Sequence, residues 1–282
     1  MLETPTTMQT LFDYLSLHEN HSRLPTLNSK DKISHNDSFE DLESVVEILL
    51  DIGTFFGHDL TKLLLASNST CNALGCMASL LVHKRGGAKL MTLVHRLCSI
   101  DIDVCTEIVK CDGFVVSICS CICDSLKPLE LLSKQGVNSR AEFEFSDRVK
   151  EIAALATICR SPVASAVLLD TSTEMLIVLC SILSNHNRSV PPCFAYAALS
   201  LLSKAAMAVY SNTRMSEVTA SIIIPACAIT VLHTSDLNIA NLALNVVLTL
   251  APNASARQSL LDPVTAMTIV ISLQVILNIF FL

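Results

Sequence analysis

Three clusters in this sequence combine residue types that could do chemistry. Cys119, Cys121 and Cys123, with Cys111 nearby, are the densest thiols. Cys119 and Cys123 are four apart and share a helix face, while Cys121 points elsewhere. A structural zinc site wants ligand pairs on turns and two more ligands brought in by the fold. The spacing reads better as small apolar side chains of a buried helix. His83-Lys84-Arg85-Gly86-Gly87 offers cations and glycines to a phosphate. It lacks a preceding strand and the Gly-x-x-x-x-Gly-Lys spacing, and reads as a helix stop whose cations the dipole favours. Asp101 and Asp103 could pair as acid and base. Placed just before Val104, they read as a capping turn. Of the eight histidines, His18, His21, His35, His186 and His233 fall in the N-terminal arm or at helix ends. No Ser/His/Asp or Cys/His arrangement emerges, so no catalytic residue, metal or cofactor is expected, and the chain reads as a non-enzyme.

A fourth group points to binding. Asn238, Asn241, Asn245 and Thr249 are three or four apart and form one polar stripe on a helix that is otherwise Leu, Val, Ile and Ala. These four are the expected partner-binding residues. A helix apolar over the rest of its circumference needs neighbours on several sides, as the inner helix of a stacked repeat has.

The repeat itself is visible by stepping back from Thr249. Ser203 and Thr157 stand at successive intervals of 46, each flanked two residues either side by apolar or small side chains. Arg96 lies 61 before Thr157, and Asp51 lies 45 before Arg96. The interval of 61 is one unit enlarged by about 15 residues, and the polar stretch 127–146 lies inside it. Short helices follow several breaks, at 60–66, 105–111, 165–170 and 257–262. The unit after Ser203 departs, with Arg214 and Met215 where the others have Leu. The expected fold is all-α, an armadillo/HEAT-like superhelical solenoid of about five units, the last incomplete.

Composition agrees. Over 282 residues, 51% are hydrophobic and 16% charged, with 7 Gly, 9 Pro and no Trp. Helix-on-helix packing suits that balance better than a sheet. The net charge of −7 and the lack of a basic stripe argue against nucleic acid as a partner. Twelve cysteines at mostly apolar helix positions, behind an N-terminus without a signal-peptide pattern, imply a reduced, cytoplasmic chain. Five Asn-x-Ser/Thr sequons, at Asn20, Asn36, Asn68, Asn187 and Asn253, are then chance.

In chain order, residues 1–37 read as a flexible arm with a short helix at 6–17. Residues 38–282 form the repeat domain, with Ser38 as an N-cap and Asp41 its acidic partner. Helices are expected at 39–56, 59–66, 71–83, 88–99, 103–111, 114–126, 147–160, 163–170, 173–184, 193–210, 216–233, 237–250 and 254–262, with 127–146 a long loop. Residues 263–282 carry no charge. They fit either the second helix of a further repeat or a single transmembrane tail anchor. Thr265, Thr268, Ser272, Gln274 and Asn278 dilute the latter.

The stretches 93–113, 155–170 and 248–262 (LVHRLCSIDIDVCTEIVKCDG, LATICRSPVASAVLLD and LTLAPNASARQSLLD) resemble armadillo repeats. Armadillo proteins that grip extended basic peptides carry Trp and Asn along the inner face. Here the equivalent positions are Asp51, Arg96, Thr157, Ser203 and Thr249. The run LLDIGTFFGHDLTKLLLASN at 49–68, followed by IDIDVCTEI and LATICRSPVASAVLL, is similar to the N-terminal armadillo region of the cancerous inhibitor of protein phosphatase 2A family. That resemblance implies a scaffold that sequesters phosphatase 2A regulatory subunits and forms a homodimer. Leu42 to Glu47 also matches a degenerate Leu-x-x-Ile-x-Glu phosphatase-docking pattern, although the same residues make an amphipathic helix with Leu42 and Val45 inward.

Overall fold

A computed structural model describes residues 35–66, 86–110, 114–133, 141–184, 190–209 and 216–280. These residues are helical throughout apart from short connections, with no strand among them. The chain divides into two compact units, residues 1–118 and 119–282. The expected helices at 6–17 and 71–83, with Cys71, Cys76 and Cys111, lie outside the described residues.

In the first unit, α1 (His35–Phe55) packs against α2 (Gly57–Ala66) and α3 (Gly86–Ile100), and α4 (Ile102–Val109) packs against α2 and α3. The apolar face of α1 runs through Val46 and Leu49, both buried, to Gly53. The missing side chain at Gly53 admits α3: a Cβ there would stand 2.9 Å from Leu93 Cδ1. Gly57 plays the same part against Ile100, whose Cδ1 would be 2.5 Å from a Cβ. On the solvent side α1 and α3 are linked by Lys89 Nζ donating to Glu47 and by Arg96 Nη1 donating to Thr54 Oγ1 at 2.7 Å. Both links join residues 42 apart, so the two helices run parallel and in register.

In the second unit, α6 (Ala141–Ile158), α9 (Pro192–Val209) and α11 (Leu237–Leu250) form one series, α9 packing against both of the others. The helices α8 (Thr173–Leu183), α10 (Ser216–His233) and α13 (Pro263–Phe280) form another, with α10 against α8 and α13. The shorter α7 (Pro162–Thr171) touches α8 and α9, and α12 (Ala254–Leu261) touches α10 and α13. The helix α10 is apolar on most sides, with Ile223, Ile224, Ala226, Cys227, Ala228 and Val231 all buried, as its several neighbours require.

The stretch 127–146 corrects the sequence reading. Instead of one long loop, α5 (Phe114–Ser133) continues seven residues past Leu126, and α6 begins six residues before Asp147. The extra residues of the enlarged unit therefore mostly lengthen two helices. Leu129, Glu130, Leu131 and Leu132 are strong helix formers, and so are Ala141, Glu142 and Glu144. Together they outweigh the hydrogen bond that Pro128 removes. Arg148 on α6 donates to both oxygens of buried Glu151 at 2.7 Å and reaches Cys121 Sγ on α5 at 3.4 Å, tying the lengthened pair together.

One smaller expectation also changes. Ser38 is not an N-cap, because α1 already begins at His35. Gly86 and Gly87 open α3, and His83, Lys84 and Arg85 of that stretch lie outside the described residues. Residues 263–280 form α13, and among the described residues no single helix is long and apolar enough to cross a membrane.

Candidate functional site

Three of the four residues of the polar stripe meet in one place. The helix α11 is entered through Asp236, extended at φ −88° and ψ 114°. Its Oδ1 accepts from the backbone N–H of Asn238 at 2.8 Å and of Ile239 at 3.4 Å, which ends two otherwise orphaned donors. With that start fixed, the period of 3.6 puts Ile239, Ala240, Ala243, Val246, Val247 and Leu250 inward, and leaves Asn238, Asn241 and Asn245 exposed. Their carboxamides have no hydrogen-bond partner among the described residues.

Those three side chains form one wall of an open groove of about 540 Å³. Leu242, Ile239 and Asp236 complete it on α11, and Pro192, Cys193 and Tyr196 form the facing wall on α9. Tyr196 is 54% exposed, so its ring and hydroxyl are available to a ligand. Thr249 is not part of the groove; its hydroxyl returns to the helix by donating to the Asn245 carbonyl at 2.8 Å. The α9 residues were missed in the sequence. Stepping 46 back from Asn238 to Pro192 would have pointed to them.

The equivalents of the three carboxamides on α9 are not polar. Ala195 and Leu199, each 46 before Asn241 and Asn245, are buried. The carboxamides are thus particular to α11.

The other chemical clusters resolve as structure. Asp101 caps α4, its carboxylate accepting from Asp103 N–H at 2.9 Å. Val45 is buried within α1 and Glu47 is engaged by Lys89, which leaves the docking pattern without an accessible middle residue. Eight of the nine described cysteines are buried, and none of the nine is in a disulfide. Burial pushes the Cys119 thiol up to about 12 and likewise Cys180, and raises Cys121 and Cys123. Such groups stay protonated and act as small hydrophobes. Cys193, in the groove wall, is the exposed one of the nine. Among the described residues no three His, Cys, Asp or Glu side chains are arranged to hold a metal ion.

Compared with family models, curated proteins and solved structures, the chain matches none.

Proposed function

We propose that this chain is a non-enzymatic, protein-binding scaffold of armadillo type, and that the groove between α9 and α11 holds an extended segment of its partner. The observation that carries the reading is the row of three exposed carboxamides, Asn238, Asn241 and Asn245, with no partner among the described residues. Exposed Asn in mid-helix is a poor helix former, so its place there calls for a use beyond folding. The spacing of 46 and the serial packing of α6, α9 and α11 support a solenoid of about five units. On the sequence resemblance, regulatory subunits of phosphatase 2A are the first partners to test, together with self-association and a cytoplasmic setting.

The test is a binding measurement with purified phosphatase 2A regulatory subunits, comparing the chain with its Asn241→Ala/Asn245→Ala variant. Two hydrogen-bonding side chains lost at about 0.5–1.5 kcal/mol each predict roughly tenfold weaker binding at an unchanged melting temperature. Equal binding by both proteins would remove the groove from the interface. No binding by either would remove the phosphatase connection.

A further inference from the structure

We propose that the groove between α9 and α11 binds a purine nucleoside without phosphates, of the adenosine type, its base lying between Tyr196 and Leu242. The inference goes beyond the partner segment and needs only the groove. Tyr196 and Leu242 are 46 residues apart, so they hold equivalent places in their repeats, and both line the groove. An aromatic ring on one wall and an aliphatic side chain on the other suit the two faces of a flat base. The volume of about 540 Å³ falls within the range of small-molecule sites, about 300–1,000 Å³.

The polar groups beside that slot can read the edge of adenine. Asn241 and Asn245 flank Leu242 on α11, and their carboxamides have no partner among the described residues. A carboxamide oxygen accepts from the N6 amine of adenine while its nitrogen donates to N7. The amine has a second hydrogen, which the other carboxamide can accept. Guanine and hypoxanthine carry an acceptor in place of that amine and lose the match. Asp236 opens α11, about 7.5 Å along the axis from Asn241. Its Oδ1 is committed to the helix cap, and its second oxygen has no partner among the described residues. A carboxylate so placed accepts from ribose hydroxyls, as acidic residues do in dinucleotide sites. A phosphate finds no counterpart: among the described residues no Lys or Arg lines the groove, and the net charge of −7 repels an anion.

The experiment is equilibrium dialysis of the whole chain against adenosine, inosine, adenine, adenosine monophosphate and methyl riboside. Adenosine should be retained, inosine about tenfold less tightly, the monophosphate less tightly than adenosine, and methyl riboside not at all. Asn241→Ala/Asn245→Ala should weaken adenosine about tenfold or more and erase its advantage over inosine. Tyr196→Leu should weaken both nucleosides about tenfold, the worth of one stacked base. Asp236→Asn keeps the helix cap, since Asn caps as well as Asp. It should weaken adenosine about fivefold and leave free adenine unchanged. No retention of adenosine, or retention that survives the Asn241/Asn245 double variant, overturns the site. Inosine equal to adenosine overturns the reading of the amine, and methyl riboside equal to adenosine overturns the base slot. A monophosphate held more tightly than adenosine overturns the exclusion of phosphate. The partner reading is decided separately, by the phosphatase-subunit measurement.

Discussion

Glu47 on α1 and Asn245 on α11 each stand four residues before the anchor of their repeat, Asp51 and Thr249. In the first unit, Glu47 is drawn to Lys89 on the parallel helix α3, and Thr54 to Arg96. The positions equivalent to Glu47 and Lys89 on α9 and α11 are Leu199 and Leu242. Leu199 is buried, Leu242 lines the groove, and the Asn245 carboxamide beside it has no partner among the described residues. Positions equivalent by sequence spacing are therefore used in two ways. Where opposite charges meet across neighbouring helices, the face is used up internally. Where a carboxamide meets no charged side chain opposite among the described residues, its hydrogen bonds are left for something else. Periodicity sets the scaffold, and a few side chains decide which part of it is available.

The largest effect should come from the wall of the groove. Phe194, on the first turn of α9, is fully buried. Phe194→Ala should cost about 3–5 kcal/mol in urea unfolding; a cost near zero would mean that this wall is not packed. Next is the notch that lets α1 and α3 meet. A Cβ at Gly53 already crowds Leu93, so Gly53→Val should cost about 1–3 kcal/mol by overpacking, read by the same measurement. The charge links themselves are exposed, with Lys89 and Glu47 about half accessible. Lys89→Gln should cost only about 0.2–1 kcal/mol, and less still in high salt. The contrast is sharpest at the carboxamides. Asn241→Ala should leave stability unchanged or raise it by a few tenths of a kcal/mol, because Ala is the better helix former. A loss above about 1 kcal/mol would make Asn241 a structural residue and end the distinction between the two faces.

Much of this was legible without coordinates. The bounds expected for α10 and α11 hold to the residue, because an apolar run between polar breaks and, for α11, the Asp236 cap found in the structure act locally. Residues 127–146 were misread because polar residues and Pro128 look like a break, whereas the propensity of LELL and AEFE carries the helices on. Asn238, Asn241 and Asn245 were visible as a stripe on one helix. Their companions Cys193 and Tyr196 were not, since only the packing of α9 against α11 brings them into the same groove. Thr249 belonged to the stripe in sequence but not to the site, its hydroxyl being satisfied by its own helix.

The smallest effect sets a helix start that is purely structural against the groove. Asp262 precedes α13, and its Oδ2 accepts from the Thr265 N–H at 3.0 Å and the Thr265 hydroxyl at 3.1 Å. Those bonds favour the charged carboxylate and hold its pKa below the ordinary value. A pKa lowered by folding adds stability above the unfolded value, and that stability is lost as pH falls through the folded one. Thr265→Val keeps the backbone donor and the volume but removes the hydroxyl. The variant should melt slightly lower than the parent at pH 6, within a few degrees. The gap should narrow below about pH 4 as the carboxylate takes up its proton. A gap that is the same at pH 6 and pH 2.5 would show that the hydroxyl acts through packing instead. Asn245→Ala should show no such pH-dependent gap, because a neutral carboxamide facing solvent has no protonation state linked to folding.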